Sequence, residues 1–155
     1  MKELYEKIHQ LLTDDSELRA LLAHGQGRST PVGLEGYQGG ETKATIRRGF
    51  QVDGTWSRLL TYYFQSDAPI DVQLPDIRDI PLVVNIMDRT DDLNVMDIKE
   101  RVIKILHDAE VTKEDEVFGY ACIYIGDIAG VSYDNKLQAY RLAIRFRILA
   151  RKERT

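Results

Sequence analysis

The chain has 155 residues, 43% hydrophobic and 30% charged, with a formal net charge of -4. Its length suits one core, and the negative balance argues against a dedicated nucleic-acid binder, which is usually basic. A single cysteine, Cys122, excludes an internal disulfide and fits a reducing compartment; lying in an apolar run, it reads as a buried structural thiol. The N-terminus is charged throughout, and no run approaches the ~20 apolar residues of a membrane span, so first folding in a cytoplasm is expected.

Leu4, Ile8, Leu11 and Leu12 recur at helical spacing among Lys2, Glu3, Glu6, Lys7 and Gln10, which predicts an amphipathic helix. Asp14 and Asp15 interrupt it, and Asp15 or Ser16 can cap a second segment carrying Leu18, Leu21 and Leu22. Residues 24–41 are glycine-rich and aperiodic, and predict a long loop or arm. Residues 42–52 suggest a strand through Ala44, Ile46 and Phe50, and RLLTYYFQ (58–65) has strand composition. Residues 66–79 carry Asp67, Asp71, Asp76 and Asp79 with Pro69 and Pro75, and read as a second exposed loop. An extended stretch then begins at Ile80.

A helix is predicted from Asn94, the expected N-cap, with Asp97 near its positive end and His107 in its last turn. Val95, Ile98, Val102, Ile105 and Leu106 form its apolar stripe. Residues 116–131 form another extended stretch. A turn at SYDNK leads into a final alternating strand, with Tyr140, Leu142, Ile144, Phe146 and Ile148 on one face. Arg141, Arg145, Arg147 and Arg151 fall on the other. The expected architecture is one α+β domain over residues 1–155. Four or five strands, antiparallel or mixed, pack against an N-terminal and a central helix around a β-α-β-β core.

Catalytic signatures are weak. Asp88, Asp91 and Asp92 cluster where a strand ends; a metal-dependent nuclease would use such carboxylates, but no second acidic pair or lysine stands at nuclease-like spacing, and a solvated loop leading into a helix explains them better. GQGRST fails as a phosphate loop, because Thr30 stands where the last glycine belongs. His9, His24 and His107 lack metal spacing, and Ser16, Ser29, Ser57, Ser66 and Ser132 lack a nucleophile elbow. No catalytic, cofactor or metal site is assigned. The arginine strip reads, residue by residue, as a sheet face balanced by cross-strand carboxylates. As a set it suits a subunit interface opposite Asp67, Asp71, Asp76 and Asp79. A regulatory module whose 24–40 segment closes over a ligand is a third reading.

LYEKIHQLLTDDSELRALL (4–22), IPLVVNIMD (80–88), DIKERVIKILHD (97–108) and YRLAIRFRILAR (140–151), in this order, carry a resemblance. The chain resembles the bacteriophage tail-terminator or tail-completion proteins, the group of the lambda-type tail terminator and related head-tail joining proteins. The resemblance spans residues 1–24 and 80–153; the segments at 24–40 and 66–79 depart from the simplest members. It implies a non-enzymatic virion protein, assembled in the host cytoplasm as a hexameric ring that caps the tail tube. The implied partners are further copies of itself, the tail-tube protein and a head connector, with no membrane and no sequence-specific nucleic acid. The alternatives are another neck protein, or the nuclease drawn from Asp88–Asp92.

Overall fold

A computed structural model describes residues 2–23, 45–49, 52, 56–65, 68–71, 74–109 and 118–152. For 2–3, 23, 68–71, 74–78, 118–121 and 150–152 it describes the backbone alone. Two N-terminal helices, α1 (Lys2–Asp14) and α2 (Ser16–Ala23), precede strands β1 (Ile46–Arg48), β2 (Arg58–Phe64), β3 (Ala68–Asp71) and β4 (Leu74–Asp88). Helix α3 (Asp92–Leu106) is followed by β5 (Phe118–Asp134) and β6 (Ala139–Lys152). The protein is α+β. One mixed sheet runs β1-β2-β4-β6-β5, with β3 added beside β4. Among the described strands only the β1–β2 pair is parallel.

Period-2 alternation decides which sheet face the helices cover. Leu60 and Tyr62 of β2, Leu82, Val84 and Ile86 of β4, and Leu142, Ile144, Phe146 and Ile148 of β6 are buried on that face. They join Leu4, Ile8 and Leu12 of α1, Leu18 and Leu22 of α2, and Val95, Ile98, Val102 and Leu106 of α3 in one core. Helix α1 packs on β1, α2 on β2, and α3 across β4, β5 and β6. Full burial of each such aliphatic side chain contributes about 1.5–3 kcal/mol.

Local chemistry sets the boundaries. Asp15, rather than Ser16, caps α2: its Oδ1 accepts from the Leu18 N–H at 2.8 Å. The same carboxylate receives Arg101 of α3 at 3.0 and 2.5 Å, tying α2 to α3. Helix α3 is capped three residues before the expected Asn94. Its N-cap is Asp91, in extended backbone, which accepts from the Leu93 N–H at 2.9 Å. Asn94 would have left the preceding turn of N–H groups unsatisfied. At the other end His107 is the C-cap, and its Nδ1 accepts from the Tyr124 N–H at 3.1 Å, joining the helix end to β5.

The segment 66–79 is not a loop throughout. Residues 68–71 pair with the first part of β4, so that β4 begins at Leu74 rather than Ile80. Backbone pairing with β6 continues past Asp79, through Arg78 opposite Ala150 and Ile77 opposite Arg151. This pairing draws an aspartate-rich, proline-containing segment into the sheet despite its poor strand propensity. At the SYDNK turn, Asp134 Oδ1 accepts from the N–H groups of Lys136 (2.9 Å) and Leu137 (3.1 Å). The glycine-rich segment 24–41, with GQGRST and His24, lies outside the described residues.

Candidate functional site

Among the described residues no helix packs on the second sheet face. Thr61 and Tyr63 of β2, Val83 and Asn85 of β4, and Arg141, Ala143, Arg145 and Arg147 of β6 alternate onto it. At one end Trp56, Leu59, Met87 and Ala139 form a small second cluster. Arg89 stacks its guanidinium 3.8 Å from the Trp56 ring centroid and donates to the Trp56 carbonyl at 2.9 Å.

Three of the four strip arginines find partners inside the chain. Arg141 donates to Asn85 Oδ1 at 3.2 Å and faces Asp134 at 3.7 Å. Arg145 donates to Gln65 Oε1 at 2.6 Å, and Arg147 pairs with Asp79 at 3.1 Å. Cross-strand carboxylates of the same chain therefore balance Arg141 and Arg147, whereas Arg145 is held by an amide. Arg151 is placed only by its backbone, opposite Ile77 and Gly119. Asp71 and Asp76 lie on β3 and β4 by backbone, and Asp67 falls outside the described residues. Even when paired, the Arg141 and Arg147 side chains remain 38% and 43% exposed.

The Asp88–Asp92 cluster is built for structure. Asp88 is fully buried, with Oδ2 2.8 Å from Arg58 Nε. Its Oδ1 accepts from the Thr90 N–H (2.7 Å), the Thr90 hydroxyl (2.6 Å) and the Asp91 N–H (3.1 Å). Arg58 also donates to the Leu21 carbonyl, which ties α2 to the sheet. Asp91 caps α3 and Asp92 occupies its first turn. Three protein donors occupy Asp88 Oδ1 and the Arg58 ion pair occupies Oδ2, which argues against the nuclease reading. Among the described residues no group of three His, Cys, Asp or Glu side chains is placed to hold a metal ion.

Other titratable groups also have structural roles. Burial pushes the Cys122 thiol up to about 12, far from a nucleophile's range. His9 Nδ1 lies 2.8 Å from the Tyr62 hydroxyl. Burial, and then Arg48, hold its imidazole below the ordinary value. Lys99 of α3 reaches Asp127 of β5 at 2.9 Å, and the Tyr124 hydroxyl donates to the same carboxylate at 2.8 Å. Burial opposes ionisation of Asp127, but the Lys99 and Tyr124 hydrogen bonds prevail and lower its pKa.

Sequence reading missed where exposed apolar side chains gather. Leu93, Met96, Ile125, Ile128, Val131 and Tyr133 are the exposed large hydrophobics among the described residues. All lie on the first turns of α3 or on β5, the sheet's edge strand. Strict alternation would have sent half of the β5 residues inward. Three irregularities, at 124/126, 127/129 and 129/132, break it, and Gly126 takes φ +131, a conformation that favours glycine. The glycines in IYIGDIAGV were the available signal. An open groove of about 590 Å³ lies between this bulged part of β5 and the helix-free face.

No family model matches the chain, and no curated protein matches it. Among solved structures it is similar to a chain in "Virion of native gene transfer agent (GTA) particle". The TM-score is 0.63 at 10% sequence identity, covering 93% of this chain and 91% of that one. At that identity the likeness establishes a shared fold over nearly the full length of both chains.

Proposed function

We propose that the protein is a structural subunit of a phage-like particle: a tail terminator that closes into a ring, caps the tail tube and joins it to the head. The observation carrying this reading is the end-to-end fold likeness to a virion chain. Its support is independent of the four sequence segments that resemble tail-terminator proteins, because that fold match has only 10% identity. The mechanism is geometric. Subunits meeting through unlike surfaces form a ring when the rotation closes, and a closed ring leaves no growing end for further tube protein.

The partners in this reading are further copies, in a hexamer on assembly, the tail-tube protein and a head connector. The site of action is the virion tail, with assembly in the host bacterial cytoplasm. Arg141, Arg145, Arg147 and Arg151, with Asp67, Asp71, Asp76 and Asp79, form a charged docking strip in the same proposal. The exposure of Arg141 and Arg147 supports that assignment. The direct test adds the protein to polymerising tail-tube protein from the same particle. Tube length should become fixed on addition; tubes that keep lengthening at the same rate would overturn the terminator reading and leave other neck positions to be tried.

A further inference from the structure

The helix-free face carries a feature at odds with a finished monomer surface. Thr61 and Asn85 are register partners on β2 and β4, and each is almost wholly buried. Yet Thr61 Oγ1 and Asn85 Nδ2 have no hydrogen-bond partner. Buried polar atoms are rarely left unpaired, because each costs about 1–3 kcal/mol. Asn85 and Arg141 line both the 590 Å³ groove and an adjoining recess of about 190 Å³, and Thr61 lines the latter. Val83, Ala143, Ile128 and Tyr133 give the groove apolar walls, and Lys136 adds a cation. Asp134 supplies an acceptor there, but its carboxylate already receives the Lys136 and Leu137 N–H groups and faces Arg141. The walls and cations of this groove call for an occupant with negative charge and apolar bulk.

The same chain displays such an element elsewhere. The first turns of α3 project Leu93, 67% exposed, and Met96, 38% exposed. Asp92 and Asp97 beside them are exposed, and no ion pair among the described residues engages either. This apolar and acidic knob lies on the helix-bearing side of the sheet, whereas the groove opens on the helix-free side.

We infer that the α3 knob of one copy seats in the groove of the next. Leu93 and Met96 pack against Val83, Ala143, Ile128 and Tyr133, while the Asp92 and Asp97 carboxylates approach Lys136 and Arg141. The occupant is a second copy because charge and apolarity match in both halves and one chain carries both. The contact is head-to-tail, since knob and groove are different surfaces, and repetition continues until the rotation closes. This deepens the ring reading and rests on it.

Gly130 allows a clean test. A Cβ built there meets nothing within 4 Å, so Gly130→Phe has room to leave the backbone and places its ring in the groove that Gly130 lines. Leu93→Asp destroys the knob at an exposed position. In light scattering coupled to gel filtration, each variant should lose association by roughly tenfold or more relative to the full wild-type chain. Both should keep the wild-type melting temperature. Mixing the two should restore one intact interface and give a one-to-one dimer that grows no further. Lys136→Glu, at an exposed turn, provides a second groove variant should Gly130→Phe disturb folding; Asp92→Lys with Asp97→Lys should rescue it. Variants that assemble like wild type, or a mixture that forms no dimer, would overturn this contact while leaving the ring reading intact. A wild type that stays monomeric at the highest attainable concentration would also overturn it, and the ring reading would then be decided separately by the arrest of tube growth.

Discussion

The two faces of the sheet are made from the same strands by alternation, yet they are finished differently. Under the helices, apolar side chains from every layer close over one another, and even the buried Asp88 finds Arg58 and three local donors. On the helix-free face, Thr61 and Asn85 hold buried polar atoms without partners, and the adjoining edge strand exposes isoleucines, a valine and a tyrosine. The first face is covered by helices of the same chain, and its buried Arg58 and Asp88 charges are paired. The second is shaped like half of a contact, so stability and assembly should respond to different substitutions.

The largest expected effect is on the helix-covered face. Asp88→Ala removes one partner of a buried ion pair and frees residues 89–91, and should cost about 3–5 kcal/mol in urea unfolding. A loss below about 1 kcal/mol would mean that the pair is not the anchor described. Leu82→Ala, in the shared core, should cost about 2–5 kcal/mol. On the other face the sign reverses. Thr61→Val removes a buried hydroxyl that has no partner and should leave the isolated chain unchanged or stabilise it by up to about 1 kcal/mol. Clear destabilisation would show that the hydroxyl is already satisfied, which would erase the contrast between the faces. Smallest of all, Ile128→Ser at the exposed edge should stay within about 0.5 kcal/mol.

Acid should act through the helix-covered face as well. Because the folded His9 imidazole is held below its ordinary value of 6.5, the unfolded chain binds the proton first. Its contribution is whole above that value and is lost as pH falls from there through the folded pKa. Asp15, lowered chiefly by its hydrogen bond from Arg101, contributes above the ordinary 3.8 and loses that contribution as pH falls below it. Urea midpoints followed against pH should therefore decline in two steps, and His9→Gln should remove the first.

Much of this fold was legible in the residues. The stripes Leu4–Ile8–Leu12 and Val95–Ile98–Val102 and the alternation of Tyr140 to Ile148 encode local period and burial together, and both survived. What escaped depended on pairing. Nothing within 66–79 announces strand; the extended pairing of β4 with β6 draws it in. Asn94 was the expected cap, but Asp88, which receives the Thr90 and Asp91 N–H groups, sets the approach to α3 so that Asp91 caps it. The arginine strip was visible, but Gln65 and Asp79 as its intrachain partners required the register. The groove required more still, because bulges at Gly126 and beyond cancel the alternation from which a face is read.

The central claim is that this chain caps a tail tube as a ring. Negative-stain electron microscopy of the full chain mixed with tail tubes tests it most directly. The account predicts one closed ring at a single end of each tube, lost with Leu93→Asp. Bare tube ends, or protein spread along the tube walls, would contradict it.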